Sequence, residues 1–162
     1  MDNSSCLCGS GLNSANCCQR FIAHKDHPTT AEALMRSRFT AYAQKNEAYL
    51  LATWDDASTK KPKFIDFSKE GDVVWTQLDI IQCKKGAIND KKGLIEFKAH
   101  YTLDGEPYVM HEISRFVFKN GRWFYMDGLV KSVSRANQQV NEGKNKTCPC
   151  GSGKKYKRCC GK

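Results

Sequence analysis

The chain has 162 residues, of which 40% are hydrophobic, and its formal net charge is +9 at pH 7. This length and apolar content suffice for one domain with small additions and exclude two full hydrophobic cores. The positive charge favours an acidic partner, which could be nucleic acid, an anionic lipid surface or an acidic protein face.

The first 20 residues contain neither a basic leader nor an apolar stretch. The sequence also has no run of about 18 apolar residues, the length that a membrane helix requires. We therefore expect a cytoplasmic protein without a transmembrane segment. Because thiols stay reduced in that compartment, clustered cysteines are expected to bind metal rather than to form disulfides.

The chain opens with a cysteine-rich segment, CLCGSGLNSANCC, at residues 6–18. Adjacent cysteines and Cys-x-Cys pairs close only strained disulfide rings, which disfavours a bridge within either pair. Four thiolates without a histidine suit tetrahedral zinc, and the Gly-Ser-Gly turn can donate hydrogen bonds to the sulfurs; an iron–sulfur cluster is the main rival. Since this segment has no charged side chain, we expect it to lie against its own protein. The sequence predicts a zinc module at residues 1–20 with four ligands: Cys6, Cys8, Cys17 and Cys18.

Residues 29–54 predict two helices. Thr30 is a suitable N-cap, apolar residues recur at helical spacing up to Tyr42, and Asn46 is expected to separate the first helix from the second. Arg38 falls on the apolar face of the first helix, so we expect it to be buried and to require a carboxylate partner. Arg36 points elsewhere and is expected to be solvated.

After a polar loop the pattern changes to strands, at residues 73–83, 93–105, 107–121 and 122–130. Asp-Gly and Asn-Gly pairs separate the last three strands and are strong hairpin signals. Cys83 is expected to be a small buried hydrophobe. Helices followed by antiparallel strands predict an α+β fold in which the N-terminal helices pack on a curved sheet.

A pocket under the helices would draw on several polar and aromatic side chains. Since strand neighbours face opposite sides, Glu112 is expected to face inward, and Trp123, Tyr125 and Asp127 are expected to share a face. We expect Glu112 or Asp127 to pair with Arg38. A buried ion pair that fixes helix against sheet is favoured over catalysis, so no catalytic residue is assigned. The pocket candidates are Arg38, Glu112, Trp123, Tyr125 and Asp127.

The chain ends with a second copy of the cysteine frame, CPCGSGKKYKRCC, at residues 148–160. Polar residues 132–147 predict a flexible linker before a second zinc module at 148–162. Residues 144–162 carry seven basic side chains and no acidic one, which suggests contact with an acidic protein face. The predicted ligands are Cys148, Cys150, Cys159 and Cys160. The predicted partner-binding residues are Lys154, Lys155, Tyr156, Lys157 and Arg158.

The frame Cys-x-Cys-Gly-Ser-Gly followed by Cys-Cys resembles the SEC-C motif. That motif is the zinc-binding tail of the Sec preprotein translocase motor ATPase, where it docks a secretory chaperone, and it also occurs in many unrelated proteins. The resemblance implies a protein-contact role without identifying the partner.

The middle of the chain, helices followed by a meander that ends in aromatic residues, resembles the nuclear transport factor 2-like, or cystatin-like, cone fold. The segments TAEALMRSRFTAYAQKNEAYLLATW, HEISRF and GRWFYMDG resemble the YchJ-like family. This resemblance implies a cone domain at residues 21–131 flanked by SEC-C motifs.

The favoured hypothesis is a cytoplasmic zinc-binding adaptor, not an enzyme, whose cone domain is a scaffold or ligand pocket and whose basic tail docks an acidic protein. One alternative is a nucleic-acid or ribosome-associated protein, supported by the basic tail with Tyr156. The other is a small-molecule enzyme that uses the cone pocket, supported mainly by fold analogy.

Overall fold

The computed structural model describes residues 4–136. Three helices come first: α1 (Cys18–Ile22), α2 (Ala31–Ala43) and α3 (Glu47–Ala52). Four strands follow: β1 (Val73–Lys85), β2 (Lys92–Leu103), β3 (Glu106–Lys119) and β4 (Arg122–Arg135). They form one antiparallel sheet in chain order, which confirms the predicted α+β class. The predicted second zinc module, with its ligands and partner-binding residues, lies outside the described residues.

α2 begins at its predicted cap, Thr30, and α3 begins at Asn46, which was predicted as the break between the two helices and also caps the second. The Thr30 side chain accepts a hydrogen bond from the Ala33 amide at the start of α2, and the Asn46 side chain accepts one from the Tyr49 amide at the start of α3. Each cap satisfies an amide that has no partner within its helix. The chain therefore turns at Asn46, and α3 folds back beside α2.

The main hydrophobic core lies between α2 and the concave face of the sheet. Leu34 and Phe39 of α2 pack in one buried cluster with Ile95 and Phe97 of β2 and Phe116 of β3. The buried residues of β2 alternate with exposed ones, as the period of a strand dictates. α2 is therefore the helix that covers the sheet.

Two tight turns fix the register of the last three strands. Asp104 and Gly105 have φ of 51° and 82°, and Asn120 and Gly121 have φ of 50° and 77°. Positive φ at both central residues is the signature of the type I′ hairpin turn, which the Asp-Gly and Asn-Gly pairs predict. Glu112 consequently lies on the concave face, opposite Phe97.

β4 contains two bulges that sequence alternation does not reveal. Phe116 pairs with Tyr125 and Arg115 pairs with Asp127, so Met126 has no partner residue on β3 and forms the first bulge. Lys131 forms the second bulge, between Val130, which pairs with Glu112, and Ser132, which pairs with His111. Trp54 holds the first bulge: it forms a parallel bridge with Tyr125, and its Nε1 donates to the Met126 carbonyl at 3.1 Å.

Two expectations about strand ends are wrong. β4 continues to Arg135, so the first four residues of the predicted linker belong to a strand; pairing with β3 sustains them without a buried face. Cys83 is exposed rather than buried, because it lies near the open end of the edge strand β1, with its Sγ 3.5 Å from the Glu32 carboxylate in the first turn of α2.

In residues 4–136, no helix combines the length and the apolar content that crossing a lipid bilayer would demand.

Candidate metal centre and cone cavity

Four cysteines of the N-terminal segment converge on one point. The sulfurs of Cys6, Cys8, Cys17 and Cys18 all lie within 4.8 Å of one another. Cys17 Sγ is 3.6 Å from Cys8 Sγ and 3.9 Å from Cys18 Sγ. In a tetrahedral zinc site the sulfurs are about 3.8 Å apart, since each lies about 2.3 Å from the ion. The spacing therefore matches a four-thiolate metal site.

Local backbone structure brings the four sulfurs together. The loop that carries Cys6 and Cys8 closes on itself through a hydrogen bond from the Cys6 amide to the Leu12 carbonyl, at 2.8 Å. Gly9 adopts φ of +76°, and a Cβ there would come within 3.0 Å of a backbone carbonyl of β1, so a side chain is excluded. Cys17 and Cys18 arrive from the other side, at the start of α1.

Arg36 joins this module to the rest of the domain. Its Nη1 donates to the Cys8 carbonyl at 2.7 Å, and its Nε donates to the Glu32 carboxylate at 2.9 Å. The Arg36 side chain is only 21% exposed, so the expectation that it is solvated is wrong. The N-terminal module itself covers this face of α2, in agreement with the packing that its uncharged sequence predicts.

The proton affinities of the cluster are uneven. A hydrogen bond from Cys18, opposed by burial, lowers the pKa of Cys8 to about 4. The same hydrogen bond and burial raise the pKa of the Cys18 thiol. Four buried thiolates require a cation, because uncompensated charge is costly away from water. With four protein ligands and no open position, such a site suits a structural role rather than catalysis.

A cavity of about 250 Å³ lies between α2 and the sheet. Its walls are apolar and aromatic: Met35, Phe39, Trp75, Phe97 and Met110. Its polar lining comes from both layers: Arg38, Tyr42, Glu112, Ser114 and Tyr125. Three of the five pocket candidates from the sequence, Arg38, Glu112 and Tyr125, therefore line one cavity.

Arg38 is buried, at 2% exposure, as expected. Its Nη1 donates to the Leu50 carbonyl and to the Thr53 hydroxyl, both at 2.7 Å. Its Cζ lies 4.4 Å from the centre of the Tyr125 ring and 5.3 Å from that of Trp54. Burial lowers the pKa of Arg38, and the neighbouring tyrosines and Glu112 oppose that shift.

The expected pairing of Arg38 with a carboxylate is wrong. Among the described residues, 4–136, Arg38 forms no ion pair within 4.0 Å. Its charge is held instead by the last turn of α3, where carbonyls have no donor within the helix, and by aromatic faces. A backbone carbonyl, a threonine hydroxyl and aromatic faces replace the carboxylate that was expected.

Glu112 occupies the cavity without a direct cationic contact. Ser114 Oγ donates to its Oε1 at 2.7 Å. Burial raises the pKa of Glu112, and the hydrogen bond from Ser114 and the charge of Arg38 oppose that shift. A Cβ on Gly128 would lie 1.9 Å from Glu112 Oε1 and 2.9 Å from the Tyr125 hydroxyl. The glycine is thus needed to leave room for the carboxyl group.

The other two pocket candidates lie elsewhere. Asp127 is on the convex face, where it accepts from Arg115 Nε at 2.6 Å, because the bulge at Met126 breaks its parity with Tyr125. Trp123 faces inward but packs in the core, and its Nε1 donates to the Thr29 carbonyl at 3.1 Å.

Sequence reasoning missed several residues of the cavity wall. Tyr42 follows Arg38 by one helical turn, and Ser114 shares strand parity with Glu112; these spacings could have assigned both residues to the pocket. Trp75 lies in β1, where a register shift after this residue obscures the alternation.

Two family models match the chain. The model described as "YchJ, middle NTF2-like domain" matches residues 30–128, and the SEC-C motif matches residues 145–162. A UPF0225 protein of Photorhabdus laumondii is 39% identical over 160 residues, covering 96% of this chain and 98% of that protein. A UPF0225 protein of Serratia proteamaculans is 39% identical over 162 residues, covering 97% of each.

Two solved structures have similar folds. The solution structure of a SEC-C motif containing protein from Rhodopseudomonas palustris has a TM-score of 0.67 and 29% identity, covering 80% of this chain and 100% of that one. The crystal structure of a SEC-C motif containing protein from Psychrobacter arcticus has a TM-score of 0.61 and 26% identity, covering 99% of this chain and 96% of that one.

Proposed function

This chain belongs to the UPF0225 family, and on that footing we propose that it is a zinc-binding interaction protein. The N-terminal four-cysteine site holds a structural zinc ion. The SEC-C motif at the C-terminus holds a second ion and docks an acidic protein face. The cone domain is the scaffold between them, in a cytoplasmic protein that works by binding rather than by catalysis.

The observation that carries the proposal is the convergence of four sulfurs at tetrahedral spacing. Zinc fits this donor set best, since Zn²⁺ has no redox chemistry and accepts four thiolates in a tetrahedral site that needs no added ligand. Structural zinc contributes on the order of 10–16 kcal/mol to the folding of small finger peptides. A binding free energy of that size can order a segment whose own apolar side chains, such as Leu7 and Leu12, are exposed.

The division of charge supports separate roles for the two modules. The N-terminal copy lies against α2 and has no charged side chain in residues 6–18. Residues 144–162 have seven basic side chains, and a four-thiolate zinc site, with −4 from sulfur and +2 from the ion, still leaves +5. A segment with a net charge of +5 attracts acidic partners. The proposed contacts are Lys154, Lys155, Tyr156, Lys157 and Arg158.

Metal analysis tests the first half of the proposal. The full-length protein, purified under reducing conditions and without chelator, should contain two zinc ions per chain by elemental analysis. Cys8→Ser and Cys150→Ser should each lower the content to one ion. Cys83→Ser is the matched control, because Cys83 lies outside the cluster, and should leave two. A protein without stoichiometric metal would overturn the proposal. Bound iron together with visible absorption would show an iron–sulfur cluster instead of a zinc site.

A binding titration tests the second half. Zinc-loaded protein is titrated with polyglutamate and with polyuridine at several salt concentrations. Replacement of the four basic residues at 154, 155, 157 and 158 by glutamine should abolish binding of polyglutamate. The control replaces Lys84, Lys85, Lys91 and Lys92 by glutamine, which removes the same charge from the sheet, and should retain binding.

Two outcomes would contradict docking of an acidic protein by the tail. Equal losses in the two variants would show that net charge alone governs the interaction. Tighter binding of polyuridine with a steep salt dependence would favour the nucleic-acid alternative, because contacts to phosphates release condensed counterions.

A further inference from the structure

We propose that the cavity between α2 and the sheet binds a small, uncharged, largely apolar molecule that carries one hydroxyl or carbonyl group. This site is separate from the cysteine cluster and does not depend on the proposed zinc-dependent role.

The size and walls of the cavity define the body of the ligand. An apolar cavity of about 150 Å³ accommodates benzene, so the 250 Å³ here leaves room for a bicyclic molecule of roughly ten to twelve non-hydrogen atoms. Phe39, Trp75 and Phe97 present aromatic surface, and Met35 and Met110 are unbranched side chains that adapt to ligand shape. The walls therefore select for apolar and aromatic groups.

The charges of the cavity define what the ligand cannot carry. Arg38 is a fixed cation whose guanidinium is engaged by α3 and by aromatic rings. Glu112 supplies the carboxyl group of the cavity lining, and its charge interacts favourably with that of Arg38. A third charge would have no counter-charge in a site of low dielectric, where its desolvation is costly. An uncharged ligand is therefore favoured over a carboxylate or an ammonium ion.

Unused hydrogen-bonding atoms define the polar group. The Glu112 carboxylate accepts a hydrogen bond at Oε1, from Ser114. Within the described residues, neither its Oε2 nor the Tyr125 hydroxyl forms a hydrogen bond with another side chain. No fully buried side-chain polar atom of that part of the chain lacks a partner, so both atoms face open space. Glu112 Oε2 can accept from a ligand hydroxyl, and the Tyr125 hydroxyl can donate to a ligand oxygen.

The polar end of the cavity is built by three elements rather than left by loose packing. Gly128 leaves room for the Glu112 carboxyl group, and Trp54 stacks edge to face on Tyr125 with ring centres 4.8 Å apart. The backbone of residues 53–55 exchanges two hydrogen bonds with Tyr125, at 2.9 and 2.8 Å. These contacts hold the Glu112 carboxyl group and the Tyr125 ring in fixed positions. Polar groups at fixed positions are what a specific ligand site requires.

A series of probes that share a naphthalene ring and differ in charge tests the proposal on the full-length, zinc-loaded protein. The probes are 2-naphthol, 2-naphthoate and 2-naphthylmethylammonium, titrated by calorimetry at pH 7. The neutral alcohol should bind at least about tenfold more tightly than either ion. Failure of 2-naphthol to bind up to its solubility limit, or tighter binding of either ion, would overturn the proposal.

A charge variant tests the balance between Arg38 and Glu112. Glu112→Gln leaves Arg38 uncompensated, so 2-naphthoate should gain about tenfold in affinity relative to 2-naphthol. Glu96→Gln makes the same change of charge on the convex face, where Glu96 contacts His111, and should not alter the ratio. An unchanged ratio in Glu112→Gln, or an equal shift in Glu96→Gln, would contradict the assignment.

A filling variant tests the location. Ala99 is buried on the cavity wall, so Ala99→Leu should weaken binding of 2-naphthol at least about tenfold. Lys98→Leu places a leucine on the opposite face of β2, so this variant should bind 2-naphthol normally. Met110→Phe fills the cavity from β3 and provides the same test if Ala99→Leu fails to fold. Normal binding in a folded filling variant would place the ligand elsewhere and overturn the proposal.

Discussion

The cysteine cluster and the cavity lie against different faces of the same helix and solve the burial of polar groups in different ways. Arg36 of α2 holds the cluster through the Cys8 carbonyl, whereas Arg38, two residues later, lines the cavity. Residues two apart on a helix do not share a face. Under the proposed function, an ion from solution balances the charge of the cluster, whereas the charge of Arg38 is held by groups of the protein itself.

This difference has a thermodynamic consequence. Under the proposed function, order in the N-terminal module is coupled to binding of one ion, so it should be gained or lost as a unit. Order around the cavity comes from many packed contacts, so substitutions there should have graded effects. α2 belongs to both regions, which makes its substitutions informative about where one region ends and the other begins.

The largest effect should follow loss of a cluster ligand. Cys8→Ser removes one of four sulfurs and should lower the free energy of unfolding by about 4 kcal/mol or more, because the module would lose the proposed ion. Chemical denaturation followed by tryptophan fluorescence measures the change. Cys83→Ser, at an exposed position outside the cluster, should change stability by less than about 0.5 kcal/mol. Similar small effects of both variants would show that the cluster does not organise the domain.

A smaller loss is expected in the cavity. Arg38→Leu abolishes the hydrogen bonds to the Leu50 carbonyl and the Thr53 hydroxyl, and should cost about 3 kcal/mol. Arg20→Leu is the control, since that side chain is 47% exposed and its pair with Asp26 spans 3.6 Å; it should cost less than about 1 kcal/mol. Unfolding curves give both values. Unchanged stability of Arg38→Leu would rule out its structural role at the end of α3.

The contact that joins the N-terminal module to α2 should contribute less to the free energy of unfolding than the cysteine cluster or Arg38 does. Arg36→Gln weakens attachment of the Cys8 carbonyl to α2 and should cost about 1–2 kcal/mol while speeding transfer of zinc to a colorimetric chelator. Glu32→Gln keeps the contact between Arg36 and Cys8 but removes the neighbouring ion pair, and should cost about 0.3–0.5 kcal/mol. If Glu32→Gln speeds zinc transfer as much as Arg36→Gln, the Cys8 contact is not the anchor.

The smallest effect should be a dependence of stability on pH. Burial raises the pKa of Glu112 above its ordinary value of 4.5, so the folded state binds this proton more tightly than the unfolded state. Stability relative to Glu112→Gln should therefore fall as pH rises from 4.5 through the raised pKa, and then level off. Arg38, Tyr42 and Tyr125 face the carboxyl group and keep their charge state in this range. If the stability of the protein relative to Glu112→Gln rose with pH instead, the pKa of Glu112 would be lowered in the folded state rather than raised.

Local signals in the sequence were sufficient for much of the fold. Thr30 predicted where α2 begins, because a capping side chain satisfies amides within a few residues of itself, and Asn46 predicted the break between α2 and α3. Two pairs with a strong preference for positive φ predicted the hairpins. The spacing of Cys6, Cys8, Cys17 and Cys18 predicted the cluster, since the ligands of a small metal site lie close together in the chain.

Contacts between distant segments account for what the sequence did not reveal. Asp127 was assigned to the cavity because alternation was assumed to continue past Tyr125, whereas Trp54, 72 residues before Met126, binds the bulge that interrupts it. Arg38 donates to the Leu50 carbonyl and to the Thr53 hydroxyl, and the sequence cannot show which backbone carbonyl a buried arginine will reach. Arg36 was expected in solvent because it points away from the apolar face of α2; the uncharged module was predicted to pack on the domain, but its sequence did not show that it would cover this face.

The two bulges of β4 have a consequence for variation in chain length. Removing Met126 would leave Tyr125 opposite Phe116 and Asp127 opposite Arg115, so every rung of the ladder between β3 and β4 could persist in a shorter strand. The strand would straighten, however, and Trp54 would lose its carbonyl acceptor. Pairing and curvature are thus encoded by different residues, and a single-residue deletion at position 126 would change the shape of the cone while preserving its register.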